Sequence, residues 1–224
     1  MKRSEINLYI AQAIDFFKAN NFSLPSFANW TPDTWQSKSK EVDEIQKSRL
    51  GWDVTDFNTG NFASCGLTLF TLRNYPLPDG IHGYAEKIMM VRDHQLTPLH
   101  CHHRKTEDII NRGTSGDLIV ELYPSSNTGE LADTQVSVLC DGVIRYTDPG
   151  GKITLHPGES ITLPPRLYHA FHAVNGTALI GEVSSLNDDE HDNYFYRELS
   201  RFPELIEDEP PVRLLCNEYP HLTA

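Results

Sequence analysis

Residues 97–108 read TPLHCHHRKTED, and this stretch decides the fold. In an extended strand, residues two positions apart point to the same face, so His100 and His102 can both face the interior while Cys101 faces away. Glu107 follows five positions after His102, close enough to return to the same point after a short turn. The spacing predicts a strand that carries two imidazoles and a turn that returns a carboxylate to them.

A second informative stretch, residues 156–169, reads HPGESITLPPRLYH. Its Pro-Gly and Pro-Pro turns flank a short strand and bring His169 to the start of another. Three neutral imidazoles and one carboxylate make a mixed nitrogen and oxygen set for a divalent first-row metal, with coordination positions left open. We therefore predict a metal site made by His100, His102, Glu107 and His169.

Two other interpretations of these histidines stay open. An HxH pair often occurs by chance, and the side chains could be hydrogen-bonded core residues or surface residues. If the segment were helical, His103 would instead pair with His100 at the i, i+3 spacing. Pro98, just upstream, and the β-rich surroundings favour the strand.

From Gly66 onward the chain is built of short runs rich in β-branched and aromatic residues, separated by Gly, Pro, Asp and Asn. No helix-length periodic segment separates the runs, so we expect an antiparallel sandwich or small barrel rather than a parallel sheet. The predicted strands cover residues 67–72, 84–91, 117–122, 136–139, 143–146, 153–155, 160–163, 168–174 and 178–183.

Helical patterns precede this β region. Residues 4–20 have apolar side chains at helical spacing, with Ser4 as the expected N-cap. Thr31 followed by Pro32 predicts a second helix that continues until Gly51. We interpret the chain as a single domain, with a helical extension over 1–50, a barrel core over 51–186 and a C-terminal wrap over 187–224. Within the wrap, residues 212–216 are apolar enough to return as an edge strand.

Composition excludes several classes of partner. The chain has 224 residues, and its 19 basic and 31 acidic side chains give a net charge of −12. Nucleic acids, anionic membranes and substrates with several phosphates all favour clustered positive charge, so they are not expected partners. No apolar run reaches the roughly 20 residues that span a bilayer. The four cysteines contain no CxxC pair, which favours free thiols and a cytoplasmic location.

The first stretch resembles the first motif of the cupin superfamily, in which an HxH pair is followed by a Glu and then a Gly. His100, His102 and Glu107 match that motif, and Gly113 comes one residue early. The resemblance implies an all-β fold with added N-terminal helices, in which the core is a cupin-type antiparallel β-barrel, or jelly roll.

The second stretch resembles the second cupin motif, which has a Pro-Gly pair, a later Pro and then a His. Arg166 or Leu167 occupies the place of the motif's usual glycine, which leaves the turn geometry open more than the ligand set. The matching residues are Pro157, Gly158, Pro164 or Pro165, and His169.

A closer resemblance, to the bacterial D-lyxose isomerase family of cupins, covers nearly the whole chain. It implies a ketol-isomerase acting on free D-lyxose and D-mannose, with one divalent metal ion per chain, manganese, and a homodimeric β-barrel. Similar segments are residues 1–7, 50–55, 66–74, 84–89, 107–113, 181–185, 187–189, 191–193 and 215–219.

Interconversion of an aldose and a ketose needs a base near C1 and C2, an acid for the oxygen, and stabilisation of enediolate charge. Lys87 and Glu182 are the catalytic candidates, because each interrupts a strand-like run where a charge is costly to bury without a partner. The alternative for Lys87 is an edge strand that faces water, and the alternative for Glu182 is the polar face of an alternating strand. Lys105, Asp188 and Asp189 are candidates for substrate binding, although a solvated loop is the ordinary place for such charges.

Competing functions remain open on the same residues. Three His and one Glu can also hold Fe(II) in a cupin dioxygenase, and a sugar-binding cupin need not be catalytic. A phosphosugar isomerase is disfavoured by the acid excess and by the lack of a basic cluster or Gly-rich phosphate loop. A site with one metal favours an enediol route over a hydride shift.

Overall fold

The computed structural model describes residues 1–76 and 83–220. Helices precede the β region, and none of the helices in these two ranges is long and apolar enough to cross a membrane. They are α1 (Arg3–Ala19), α2 (Pro32–Gln36) and α3 (Asp43–Lys47), with short 3₁₀ turns at Ser26–Asn29 and Lys40–Val42.

Thirteen strands follow in the described ranges. All nine predicted strands are present, most of them longer by one to four residues. The strands are β1 (Gly51–Thr55), β2 (Leu67–Pro76), β3 (Gly83–Val91), β4 (Thr97–Cys101), β5 (Glu107–Asn111), β6 (Asp117–Pro124), β7 (Val136–Cys140), β8 (Val143–Thr147), β9 (Gly151–Leu155), β10 (Ser160–Leu163), β11 (Leu167–Val174), β12 (Ala178–Ser184) and β13 (Tyr194–Phe195).

The strands form two antiparallel sheets. The larger sheet has the order β1-β2-β3-β12-β5-β10-β7-β8, and the smaller has the order β13-β4-β11-β6-β9. Apolar side chains from both sheets, among them Leu118, Val120 and Ile161, fill one continuous buried core. The predicted all-β, cupin-type architecture with N-terminal helices is confirmed, although hydrogen bonds do not close the two sheets into a cylinder in the described residues.

Strand β1 was not predicted because its five residues are all buried and show no alternation. Trp52 and Val54 pack outward against the helices, in a second buried cluster. Asp53, between them, faces the other way and pairs with Arg201. A strand covered on both faces loses the period-two signal on which sequence reasoning depends.

Helix α1 packs on the outer face of the larger sheet through the predicted apolar stripe, with Ile6, Ile10 and Phe17 fully buried. The predicted N-cap is wrong by two residues, because Lys2 caps the helix and its N–H donates to Glu5 Oε2 at 2.8 Å. Ser4 lies inside the first turn.

The second predicted helix is broken into short pieces. Its start is confirmed, since Thr31 Oγ1 accepts a hydrogen bond from the N–H of Thr34 at 3.2 Å. The helix ends at Gln36, where Ser37 Oγ donates to the Thr34 carbonyl at 2.7 Å. Such a bond from a side chain to the backbone competes with continuation of the helix.

The predicted edge strand at residues 212–216 is wrong. Leu215 makes only an isolated parallel bridge with Trp52. Its N–H donates to Glu218 Oε2 at 2.8 Å, so this donor is already used within the tail.

Arg3 joins the first helix to this tail. Its side chain is 2% exposed, although it carries a full charge. Its Nε donates to Glu207 Oε2 at 2.8 Å, and its Nη1 donates to Glu218 Oε2 at 3.1 Å. Both ends of the chain therefore meet at one guanidinium.

Replacing Arg3 by Met is expected to lower the free energy of unfolding by about 2 kcal/mol at pH 7, because two carboxylates lose their partner in a partly buried site. The hydrogen bond from Arg3 holds the pKa of Glu207 below its usual value of 4.5. Stability from this pair is therefore present above pH 4.5 and is lost as the pH falls through the lower, folded-state pKa. Urea unfolding at pH 7 and near pH 3 measures both effects.

Lys47→Met is the matched control for this charge deletion, since Lys47 is exposed and lies 3.7 Å from each of two carboxylates, those of Asp43 and Glu44. We expect a change of less than about 0.5 kcal/mol there. An Arg3→Met effect that is equally small, or one that does not shrink in acid, would contradict the prediction.

Candidate metal centre and active site

Three imidazoles meet at one buried point between the two sheets. His100 lies on β4, His102 directly follows β4, and His169 lies on β11. Strands β4 and β11 are antiparallel neighbours whose register places His169 beside His100. Ligand atoms from the three rings lie within 4.8 Å of one another. The strand interpretation of the HxH pair therefore describes the observed geometry.

Backbone carbonyls fix the orientation of each ring. The Nδ1 of His100 lies 2.7 Å from the Pro98 carbonyl oxygen, and the Nδ1 of His169 lies 3.1 Å from that of Leu167. The Nδ1 of His102 contacts the carbonyl oxygen of Asp192. A carbonyl can only accept, so each Nδ1 carries the hydrogen and each Nε2 keeps a free lone pair.

Burial also sets the charge of the rings. It is the largest cause that lowers the pKa of His100 well below its usual value and the pKa of His102 to about 4. Both rings are therefore neutral at pH 7. Neutral imidazoles with free Nε2 lone pairs are the form that binds a metal ion.

Glu107, the first residue of β5, supplies an oxygen beside these nitrogens. Its Oε1 lies 2.9 Å from His169 Nε2 and 3.7 Å from His102 Nε2. Glu107 Oε1 and His169 Nε2 are both buried without a hydrogen-bond partner in the described residues. Burial favours a higher pKa for Glu107, but the charge of Lys105 is the largest opposing effect, and the pKa lies well below its usual value.

These four side chains fit a divalent metal. A buried acceptor that lacks a partner is unfavourable by about 1–3 kcal/mol, and a cation at the centre would remove that cost for both orphaned atoms. Three nitrogens and one anionic oxygen suit a first-row ion with open coordination positions.

A chain of alternating charges leads away from this cluster. Lys105 Nζ lies 2.6 Å from Glu107 Oε2 and 2.9 Å from Glu182 Oε1. Lys87 Nζ lies 3.3 Å from the same oxygen of Glu182, because β3 and β12 pair these two residues in register. All four side chains are at least 93% buried.

The carboxylate of Glu182 is ionised in this position. Burial favours a higher pKa for Glu182, but Lys105 and Lys87 outweigh it and lower the pKa below the usual 4.5. Burial favours a lower pKa for Lys105, but Glu107 and Glu182 outweigh it and raise that pKa above its usual value. An anionic carboxylate therefore lies between two ammonium groups.

The polar wall continues into the C-terminal tail. Lys87 Nζ donates to Asn187 Oδ1 at 2.6 Å, and Asn187 Nδ2 donates to Asp189 Oδ2 at 2.8 Å. Arg201 Nε lies 3.5 Å from Asp189 Oδ1, while its Nη2 contacts Asp53. Lys87 and Arg201 lower the pKa of Asp189 against the opposing effect of burial.

Two of the predicted substrate-binding residues line the cavity at the histidine cluster, and one lies outside it. Lys105 and Asp189 are among the lining residues. Asp188 lies in the neighbouring groove, where its carboxylate contacts Arg104 Nη2 at 3.2 Å and the N–H of His191 at 3.0 Å.

The cavity is lined by apolar and polar side chains. Phe57, Leu69 and Phe195 are among the apolar ones. Among the polar ones, Asn193 Oδ1 and Arg201 Nη1 are buried without hydrogen-bond partners in the described residues. A lining of this kind offers apolar contacts together with hydrogen-bond partners to a small polar ligand.

Sequence reasoning missed Asp53, Asn187, Asn193 and Arg201. Asp53 had the same signal as Lys87, a charge inside a run of buried residues, and could have been found. The sequence held no such signal for Arg201, because it lies in a charge-rich tail without a helical or strand-like pattern.

The turn of the second motif has Arg166 where glycine is usual, and the backbone there adopts a strained, left-handed conformation. Arg166 occupies the glycine position of the turn and has φ of +66°. A left-handed residue that is not glycine costs roughly 1–2 kcal/mol. Its N–H donates to the His102 carbonyl oxygen at 2.6 Å, so the turn keeps its shape and remains bound to a residue of the cluster.

Known proteins resemble this chain in sequence along nearly its full length. The model of the D-lyxose isomerase family matches residues 1–219. The D-lyxose/D-mannose isomerase of Escherichia coli O157:H7 is 49% identical over 224 residues, which cover 98% of each chain. That of Serratia proteamaculans is 48% identical over 225 residues, again covering 98% of each chain.

Solved structures show the same architecture at lower identity. The L-ribose isomerase of Acinetobacter sp. DL28, solved with L-ribose, has a TM-score of 0.59 and 18% identity, covering 91% of this chain and 98% of that one. The Cellulomonas parahominis L-ribose isomerase, solved with L-psicose, has a TM-score of 0.60 and 16% identity, covering 92% and 98%. Likeness at this identity shows a shared fold.

Proposed function

The chain belongs to the D-lyxose isomerase family and is an isomerase, and from this premise we propose that it interconverts free aldoses and ketoses. The proposed reactions are D-lyxose with D-xylulose and D-mannose with D-fructose, as the names of the two bacterial relatives suggest. One observation supports the proposal most directly. Lys87, Glu182 and Lys105 contact one another in series, and Glu107 links Lys105 to the three histidines in the same cavity.

We propose that His100, His102, Glu107 and His169 hold one divalent ion, Mn(II), in each chain. The neutral imidazoles, the free Nε2 lone pairs and the orphaned oxygen of Glu107 support this. When bound, such an ion polarises a carbonyl and stabilises negative charge that develops on oxygen.

Glu182 is the proposed base, and the two lysines are the proposed acids. Isomerisation moves a proton from one carbon to its neighbour, while the two oxygens also exchange a proton. Because it is ionised, Glu182 has the form that can accept the carbon-bound proton, and it can return that proton to the adjacent carbon through an enediol. Lys87 and Lys105 hold this carboxylate from two sides and can donate to a sugar oxygen.

The remaining polar wall supports a sugar without phosphate. Each cation that faces the cavity, Lys87, Lys105 and Arg201, is already paired with a carboxylate. No unpaired cation among the cavity's described residues is left for a phosphate group. Asp189 is the proposed acceptor for sugar hydroxyls, and Lys105 a donor to them.

The test is a screen of the Mn(II)-loaded protein against free aldopentoses and aldohexoses, following ketose formation. We expect turnover of D-lyxose and D-mannose and none of their phosphate esters. Oxygen uptake by the Fe(II)-loaded protein would favour the dioxygenase interpretation. Sugar binding without ketose would favour a binding protein. Either result in place of isomerisation would contradict the proposal.

Replacing Lys87 by Met is expected to keep Mn(II) bound while kcat falls about 100-fold, since a positioned acid or base contributes about that much. Lys87 Nζ contacts Glu182 and Asn187, and neither is a proposed ligand. Metal content and steady-state kinetics measure the two effects separately. Lys152→Met is the control, because Lys152 is an exposed lysine paired with Glu121 at 3.8 Å. Loss of the metal together with turnover, or unchanged turnover, would exclude this role.

We also propose a homodimer in the cytoplasm. The outermost strand of the larger sheet, β8, supports a contact between subunits, since Val143, Ile144 and Tyr146 are each more than half exposed. All four cysteines are free thiols, which suits a reducing compartment. Light scattering of the purified protein tests the dimer.

A further inference from the structure

Asp192 accepts hydrogen bonds from four groups of the turn that joins β4 to β5, and its carboxylate also lies 3.8 Å from Arg104 Nε. Its carboxylate accepts hydrogen bonds from three consecutive backbone N–H groups, those of His103 at 2.9 Å, Arg104 at 3.2 Å and Lys105 at 3.0 Å. Its own carbonyl oxygen accepts from His102 Nδ1. The side chain is 3% exposed, so these contacts form away from bulk water.

That turn carries two groups of the site only three positions apart. His102, at its start, faces the histidine cluster, and Lys105, at its end, bridges Glu107 and Glu182. Neither residue lies within a strand. The carbonyl oxygen of His102 is held by the Arg166 N–H, whereas the N–H groups of residues 103–105 are all held by Asp192. Because no strand ladder orders the turn, this acceptor fixes its N–H side.

Asp192 itself does not reach the reacting centre. It lines the outer groove beside Arg104 and Asp188, while the cavity at the cluster is lined by its neighbours Asp189 and Asn193. Its effect on the chemistry therefore passes through His102 and Lys105.

We propose that Asp192 is a positioning residue, which holds the 102–105 turn so that His102 and Lys105 keep their places together. This inference rests on the proposed function of the site. One carboxylate thereby couples the C-terminal tail to both metal binding and proton transfer.

Asp192→Asn tests the proposal, because the amide keeps one acceptor oxygen but turns its NH2 group toward a backbone N–H. We expect the Kd of the metal-free protein for Mn(II), followed by the EPR signal of the free ion, to rise about 10- to 100-fold. At saturating Mn(II), kcat should still be about 10-fold lower, since Lys105 remains displaced, and KM should change less than kcat does. A purely structural role would lower the melting temperature without this separation of kcat from KM.

Asp56→Asn is the matched control. Asp56 is also 3% exposed and accepts backbone N–H groups, those of Asn58 at 2.9 Å and Gly60 at 3.1 Å, but it touches no proposed ligand. Its Kd for Mn(II) should equal that of the wild type.

Two results would overturn the inference: an Asp192→Asn variant that binds Mn(II) as tightly as the wild type, or one weakened no more than Asp56→Asn. If Asp192→Asn does not fold, Asp192→Ser, which keeps a smaller acceptor, takes its place in both measurements. A wild type that binds Mn(II) but isomerises no sugar would overturn the proposed function alone, because the Kd comparison still decides the role of Asp192.

Discussion

Replacing His169 by Ala is expected to remove bound Mn(II) and turnover together. The ring lies at the centre of the cluster, 98% buried at its side chain, with its Nε2 directed at Glu107. Loss of a direct ligand should weaken Mn(II) binding by at least about 100-fold, more than the loss of an outer hydrogen bond. Turnover should fall by about 1000-fold or more, since charge stabilisation by a metal is worth several kcal/mol.

Metal content after gel filtration and ketose formation in the same sample measure this result. His172→Ala is the matched control, because His172 lies on the same strand, half-buried, and is not in the cluster. His103→Ala tests the alternative pairing, since the His103 ring stacks on Tyr194 at 3.8 Å instead of facing the cavity. Full metal and full rate in the His169 variant would make the site assignment wrong.

The second large effect is expected for Glu182→Gln. The amide keeps the shape of the side chain but cannot take a proton from carbon, so kcat should fall by about 1000-fold, within the range for a general base. Mn(II) affinity should change little, because Glu182 Oε1 contacts Lys105 and Lys87 and no imidazole. Steady-state kinetics at saturating Mn(II), with Kd measured separately, isolate the chemical step.

Exchange of the C2 proton gives a sharper readout of the same variant. Wild-type protein should exchange deuterium from water into the sugar during isomerisation, whereas Glu182→Gln should lose exchange and turnover in parallel. Glu121→Gln is the control, since Glu121 lies on β6 and is paired with the exposed Lys152. Unchanged kcat in Glu182→Gln would show that another residue is the base. Loss of Mn(II) would show that Glu182 supports metal binding instead.

The histidine cluster could be predicted because its signals are local. An HxH pair on a strand places two rings on one face by the period of the pleat alone, and Pro-Gly and Pro-Pro turns mark where the partner strand begins. Charged residues inside apolar runs were the second local signal of the site. Lys87 and Glu182 stood out as charges inside apolar runs, and the structure pairs them across neighbouring strands.

The polar wall could not be predicted in the same way, because its contacts join distant parts of the chain. Asn187 meets Lys87 across 100 residues, and Arg201 meets Asp53 across 148. The path of the tail decides these pairs, and no local pattern encodes that path. For the same reason, sequence reasoning could not separate Asp188, in the outer groove, from Asp189, in the cavity.

The position of the tail has a consequence for how the protein is made. A nascent chain that has emerged from the ribosome only to residue 186 contains all four proposed ligands, but it lacks Asn187, Asp189 and Asp192. Lys87 then has no amide oxygen to bind, and the 102–105 turn has no carboxylate on its N–H groups. We therefore expect stable capture of the ion during biosynthesis to wait until residues 187–192 have docked on the two sheets.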